Sequence, residues 1–120
     1  MKRVLIADDA TFMRLMLKQM LSQNGFEVVG EAENGEVAVD KYKEYKPDLV
    51  TMDITMPNVN GIDALKMIMD FDSSAKVIMI SAMGQENMVR ESIVCGAKSF
   101  VVKPFKEDQV IRILNQFACD

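Results

Sequence analysis

Five polar residues follow apolar stretches of the chain, and their side chains suit phosphoryl groups and hard cations. Asp8 and Asp9 follow "VLIA", Asp53 follows "LVTM", Ser81 follows "VIMI" and Lys103 follows "FVV". An aspartate can accept a phosphoryl group as an aspartyl phosphate. Histidine is absent, which removes the commonest general base and every Ser-His arrangement. Any chemistry must therefore use carboxylates, hydroxyls, lysines or a hard metal ion.

Short apolar stretches alternate five times with helical patterns, which predicts an α/β domain with a parallel sheet. The predicted strands are 3–7, 27–31, 48–52, 76–80 and 99–102. The first, third and fourth are nearly unbroken apolar runs, as expected for strands covered by helices on both faces. The second, "EVVGE", is the most polar and contains Gly30, so it fits a sheet edge.

Helices are predicted between the strands from apolar residues spaced i, i+3, i+4 and i+7. The first begins near Thr11, and Asn24-Gly25 is typical of its left-handed end. The fourth, near residues 85–95, is the least regular because Ser92 interrupts its apolar face. A weakly buried helix is a candidate for movement or partner contact.

The polar residues should meet at one edge of the sheet, since the functional crevice of an open parallel sheet lies outside the carboxyl ends of its strands. Taken alone, Asp8 or Asp9 could instead cap the following helix. For the whole set that alternative is disfavoured. At an effective dielectric constant of about 20, two carboxylates about 5 Å apart repel by roughly 3 kcal/mol. The three aspartates therefore require a counter-charge.

Lys103 supplies one positive charge, and the oxygen-rich set of ligands also suits Mg²⁺. The absence of histidine and of clustered cysteines disfavours zinc. Mg²⁺ usually accompanies phosphoryl transfer because it neutralises and orients the phosphoryl oxygens. These properties together predict Asp53 as a phosphorylated residue.

Length and composition limit the other functions. A chain of 120 residues fits one compact domain, 1–120, with no room for an output domain. Its 18 acidic and 14 basic residues give a net charge of -4, which opposes nucleic-acid binding. The N-terminal apolar run is too short for a signal peptide and no run is long enough for a membrane span, so we expect a cytoplasmic protein. Cys95 and Cys119 are expected to be reduced thiols.

With these motifs the chain resembles the receiver domains of two-component response regulators over its full length. The matching features are Asp8-Asp9, the segment "DITMPNVNG" that begins at Asp53, "SA" at 81–82, and "FVVKPF" with Lys103-Pro104. The resemblance implies a flavodoxin-like (βα)5 three-layer sandwich with strand order 2-1-3-4-5.

The resemblance also implies a metal site and a role for each residue in it. Asp9 and Asp53, with the backbone carbonyl of Thr55, would hold Mg²⁺, and Asp8 would act through a metal-bound water. These assignments follow the motif positions that the sequence shares with the family.

The same resemblance implies the residues that respond to phosphorylation. Ser81 would hydrogen-bond the phosphoryl group, Lys103 would pair with it, and Lys103-Pro104 would be a cis peptide, which is inexpensive only before proline. Phe100 occupies the aromatic switch position without the hydroxyl of a tyrosine, so a switch there would work by burial of the ring. A simple core role for Phe100 is the alternative.

The expected function is that of a phosphorylation-activated binding module and not of a turnover enzyme. A histidine kinase would be the donor, and the segments "VTMDITMP" and "ISAMGQ" are similar to chemotaxis receivers, whose partner is the flagellar motor switch protein. A dedicated phosphatase could assist. We expect a monomer that binds neither nucleic acid nor membrane.

Four other functions use related sites. A phosphorelay intermediate or a receiver cut from a longer regulator would have the same residues. A haloacid-dehalogenase-type phosphatase needs a second Asp two residues after the nucleophile, where this chain has Thr55. A flavin carrier would place hydroxyls, and not Asp8 and Asp9, near its phosphate.

Overall fold

The computed structural model describes residues 1–82 and 84–118 and confirms the predicted alternation of strands and helices. Cys119 lies outside the described residues. The strands are β1 (Lys2–Ala7), β2 (Phe26–Ala32), β3 (Leu49–Met52), β4 (Val77–Ser81) and β5 (Ser99–Val102). The helices are α1 (Thr11–Gln23), α2 (Gly35–Tyr45), α3 (Gly61–Phe71), α4 (Glu86–Val94) and α5 (Glu107–Ala118).

The five strands form one parallel sheet in the order β2-β1-β3-β4-β5, as predicted. This is the flavodoxin-like topology, in which the chain reverses its winding direction between β1 and β3. The carboxyl ends of β1 and β3 are therefore neighbours, although about 45 residues separate them along the chain.

Alternation of side chains along the strands produces two apolar cores, one on each face of the sheet. Leu5 and Val50 belong to the core under α2 and α3, against which α4 also packs. Val4 and Leu49 belong to the core under α1 and α5. Both faces of the central strands are thus covered, which explains their unbroken apolar sequences.

The sheet edges are β2 and β5, so the prediction that "EVVGE" forms an edge strand is confirmed. Several strand boundaries in β1 to β4 differ from the prediction by one residue, and two of these differences have a clear cause. Asp48 lies outside β3 and its carboxylate accepts a hydrogen bond from the Arg3 amide at 2.8 Å. Ser81 is the last residue of β4 and not the first after it, because it pairs with Val102 of β5.

The predicted helix signals have clear structural counterparts. Gly25, two residues after the end of α1, has a φ of 85°, in the left-handed region. Ser92 is the buried residue of α4, and its hydroxyl donates to the carbonyl of Met88 at 2.9 Å. A polar residue is tolerated there because the helix itself satisfies the hydroxyl. None of the helices in the described part of the chain has the length and apolar content needed to cross a membrane.

Candidate functional site

Backbone hydrogen bonds beyond the strand ends bring together Asp8, which follows β1, and Asp53, which follows β3. The amide of Asp53 donates to the carbonyl of Ala7 at 2.9 Å, and the amide of Asp8 donates to the carbonyl of Ala32 at 2.9 Å. The pairing of β1 with both neighbours thus continues one residue past its last strand residue. This extension fixes the backbone from which both carboxylates project.

The three aspartates predicted at the metal site form one acidic cluster. One carboxylate oxygen from each of Asp8, Asp9 and Asp53 lies within 4.8 Å of the others. Asp8 and Asp53 are buried, whereas Asp9 is exposed. Hard oxygen donors that are partly open to water suit Mg²⁺, which keeps several of its waters when bound. The residues present therefore fit this cation.

Lys103 supplies the positive charge of the cluster from the end of β5. Its ammonium nitrogen lies 2.7 Å from Asp8 Oδ2 and 3.5 Å from Asp53 Oδ2. The peptide bond between Lys103 and Pro104 is cis. Burial makes this cation less screened than a surface lysine, so it can offset part of the repulsion between the two carboxylates.

The pKa of the Asp53 carboxyl is raised above its ordinary value, chiefly because burial disfavours the charged form. Lys103 acts in the opposite direction, the Asp8 carboxylate adds to the increase, and hydrogen bonds from Ser81 and the Ile54 amide oppose it. The Ile54 amide lies 2.8 Å from Asp53 Oδ1. Existing donors therefore do not fully offset the cost of burying this charge, and a further cation would favour the ionised form.

Asp8 and Asp9 do not cap α1, so the alternative considered for them taken singly is wrong. The residue before the helix is Ala10, without a side-chain capping bond. Asp8 Oδ1 instead accepts from the amide of Ala10 at 2.9 Å, which shapes the loop between β1 and α1. Neither carboxylate caps the helix, and both belong to the acidic cluster.

The loop from β3 to α3 returns tightly past Asp53. The Gly61 amide donates to the Ile54 carbonyl at 2.8 Å, and Asn60 caps α3 by accepting from the Asp63 amide at 2.9 Å. Thr55 is exposed in this loop, two residues after Asp53. The sequence "DITMPNVNG" is thus a turn followed by a capped helix.

Ser81 and Phe100 occupy adjacent strands beside the cluster. Ser81 is fully buried and its side chain hydrogen-bonds Asp53. Phe100 is partly buried, pairs with Met79 of β4, and packs on the core under α2 and α3.

Sequence reasoning missed Arg14, which contacts the acidic loop from α1. Its Nη1 donates to the carbonyl of Asp8 at 2.6 Å, and its Nε donates to Glu31 Oε1 at 3.3 Å. The only available signal was a basic residue one turn into the helix that follows an acidic pair, which is too common a pattern to be informative.

Comparisons with known proteins agree with this geometry. Residues 4–115 match the model of the response regulator receiver domain. The chain is 62% identical to the chemotaxis protein CheY of Thermotoga maritima, over 96% of each chain. It is 60% identical to CheY of Bacillus subtilis, over 95% of each.

A solved structure also resembles this chain in fold and sequence. The CheX-CheY-BeF3-Mg²⁺ complex from Borrelia burgdorferi contains a chain that is 44% identical, with a TM-score of 0.93, covering 97% of this chain and 89% of that one. Receiver domains bind Mg²⁺ at an acidic site, and this chain has such a cluster of aspartates. The chain belongs to the response-regulator receiver family, as a two-component signalling domain similar to the chemotaxis protein CheY.

Proposed function

We propose that the chain is a phosphorylation-activated response regulator whose Asp53 accepts a phosphoryl group from a histidine kinase. The observation that carries the proposal is a buried carboxylate with a second carboxylate and an ammonium group beside it, where Lys103 Nζ lies 3.5 Å from Asp53 Oδ2. Such a carboxylate is held for attack and its surroundings are prepared for added negative charge.

In the proposed reaction a carboxylate oxygen of Asp53 attacks the phosphorus of a phosphohistidine. The O–P bond forms as the P–N bond breaks, and the imidazole leaves with the electron pair of that bond. Lys103 pairs with the phosphoryl oxygens, and the hydroxyl of Ser81 donates to one of them. The small side chain of Ala82 leaves access to the group.

Mg²⁺ is the cofactor in this proposal. Asp9 and Asp53 would hold it with the backbone carbonyl of Thr55, and Asp8 would contribute through a water. When bound, the cation would neutralise charge on the phosphoryl oxygens. The exposure of Asp9 leaves one side of the cluster open to solvent, as a cation that retains waters requires.

The proposed output is a change of affinity at the surface of α4, β5 and α5. Reorientation of Ser81 toward the new charge would make room for burial of the Phe100 ring. On this surface Ile93, Val94 and Val102 expose 46%, 80% and 45% of their area, which supports contact with a partner. A modification shifts such an equilibrium only by its different interactions with the two states.

Similarity to CheY supports the flagellar motor switch protein as this partner and a CheA-like histidine kinase as the donor. The complex of CheX with a CheY of the same fold supports a further partner, which we propose is a phosphatase. We propose that the chain acts as a monomer, by binding these proteins. A phosphorelay intermediate is the second candidate, since the same Asp53 could pass its phosphoryl group to another histidine.

The deciding experiment is incubation with acetyl phosphate and Mg²⁺, followed by intact-mass analysis. The wild-type chain is expected to gain one phosphoryl group that hydroxylamine removes, and Asp53→Asn none. Asp40→Asn, which changes an exposed acid of α2, is the matched control and should behave like the wild type. Labelling of Asp53→Asn at the wild-type rate would refute the assignment. Transfer of the label to an added histidine-phosphotransfer protein would favour the relay.

A further inference from the structure

Arg14 joins three separate segments next to the acidic cluster. Its guanidinium donates to the Asp8 carbonyl at 2.6 Å, to Thr11 Oγ1 at 3.3 Å and to Glu31 Oε1 at 3.3 Å. The side chain is only 13% exposed. A single planar group therefore ties α1 to the β1–α1 loop and to the end of β2.

Glu31 is itself held from two helices. Its carboxylate lies 3.5 Å from the ammonium of Lys18 on α1, and its backbone carbonyl accepts from the ammonium of Lys41 on α2. The carbonyl of the next residue, Ala32, accepts a hydrogen bond from the amide of Asp8. The anchor for Arg14 thus belongs to the same strand end that holds the acidic loop.

The Asp8 carbonyl is the important contact because it belongs to the peptide group that leads to Asp9. Since a peptide group is planar, fixing the direction of the Asp8 carbonyl also fixes where the Asp9 α-carbon lies. The Asp8 carboxylate is held separately, by Lys103 at 2.7 Å and the Ala10 amide at 2.9 Å. Arg14 therefore constrains the part of the loop that carries the exposed aspartate.

We propose that Arg14, anchored by Glu31, is a positioning residue that presets the Asp8–Asp9 loop for a divalent cation. The inference rests on the Mg²⁺ site of the proposed function. Groups that orient metal ligands from behind typically change metal affinity by about 10- to 100-fold when they are removed.

The first test is calorimetric titration of the full chain with Mg²⁺. Arg14→Met, which keeps the apolar stem, is expected to weaken binding about tenfold. Arg14→Lys keeps the charge but has one nitrogen in place of the fork, so it should recover only part of the affinity. Arg90→Met is the matched control, because Arg90 pairs with Glu86 at 2.6 Å on the exposed surface of α4, and it should bind like the wild type. Wild-type affinity in both Arg14 variants would overturn the inference.

The second test needs no metal. Amide hydrogen exchange in Mg²⁺-free protein should be about tenfold faster at Ala10 in Arg14→Met, with unchanged exchange in the core of α1, because loss of local order opens only the affected segment. Unchanged exchange at Ala10 would overturn the inference while leaving the proposed function intact. Wild-type protein that fails to bind Mg²⁺ would instead refute the proposed metal site.

Discussion

Gly61 lies so close to Asp53 that a Cβ atom on residue 61 would come within 1.8 Å of the Asp53 carbonyl oxygen. The close approach occurs where the chain turns back from β3 into α3. Any side chain at residue 61 must therefore displace the backbone of the proposed phosphoacceptor.

Gly61→Ala is expected to lower the free energy of unfolding by about 2 kcal/mol, the scale of overpacking in a tight site. Urea unfolding measures this change. Gly30→Ala is the control, because its Cβ would meet side-chain atoms of Tyr45 at 3.2 Å and Leu5 at 3.4 Å, which can adjust. Equal losses for the two variants would show that the contact with Asp53 has no special cost.

Mg²⁺ should stabilise the fold by relieving repulsion among the three aspartates. At a hundredfold excess over its dissociation constant the gain is about 2.7 kcal/mol. Thermal melts with Mg²⁺ and with a chelator measure it, and coincident melts would contradict it.

Lys103→Met should make the stability of the fold depend more strongly on Mg²⁺. Removing one partner of a buried ion pair costs about 3–5 kcal/mol, and the two remaining carboxylates then lack their nearest cation. The loss should therefore be largest in chelator and smaller in Mg²⁺. Lys98→Met, at an exposed lysine before β5, serves as the control. A loss in Lys103→Met that is independent of Mg²⁺ would argue against competition between the two cations for the same carboxylates.

Thr51→Val should leave stability unchanged or raise it by about 1 kcal/mol. Among the described residues, Thr51 Oγ1 is buried without a hydrogen-bond partner, and its neighbours across the sheet are Ile6 and Ile78. Thr51→Ser keeps the hydroxyl and loses the methyl group, so it should be destabilised. Chemical denaturation would distinguish the two, and a loss in Thr51→Val would reveal a partner for the hydroxyl.

The contact between Tyr42 and Asp72, at the opposite end of the sheet, should make the free energy of unfolding depend on pH. Tyr42 donates to Asp72 Oδ2 at 2.7 Å. Hydrogen bonds from the Ser74 hydroxyl, then from Tyr42 and the Ser74 amide, lower the pKa of Asp72. Burial, followed by the interaction with Asp72, raises the pKa of Tyr42.

Stability from the lowered Asp72 pKa is present above the unfolded value of about 3.9 and is lost as pH falls through the folded value. Stability from the raised Tyr42 pKa is complete below about 10 and is lost as pH rises from there toward the folded value. Tyr42→Phe should therefore cost about 1–2 kcal/mol near pH 7. The difference from wild type should shrink at pH 3 and above pH 10 in urea unfolding. Tyr45→Phe is the control, and a difference that stayed constant with pH would contradict the assignment.

The sequence was sufficient to predict most of the strands and the acidic cluster. Asp53 and Lys103 could be assigned to one edge because each follows an apolar run, and parallel strands place such positions together. The predicted end of β4 was one residue short, since its length depends on pairing with β5, which no local pattern encodes.

The supporting contacts were not predictable. Arg14 and Glu31 are 17 residues apart, and Tyr42 and Asp72 are 30 apart. Both pairs depend on how far a side chain reaches between elements whose relative placement periodicity does not determine. The sequence likewise indicated only the spacing between Asp53 and Gly61 and not their close approach in the turn.

The pairing of Asp8 with Lys103 joins residues that are 95 positions apart. During synthesis on the ribosome, Asp8 and Asp9 are therefore made long before Lys103. Until β5 docks, Lys103 cannot offset the repulsion among the aspartates. The ion pair with Lys103 can therefore form only after the last strand has been made, which couples the charge balance of the acidic cluster to the docking of β5.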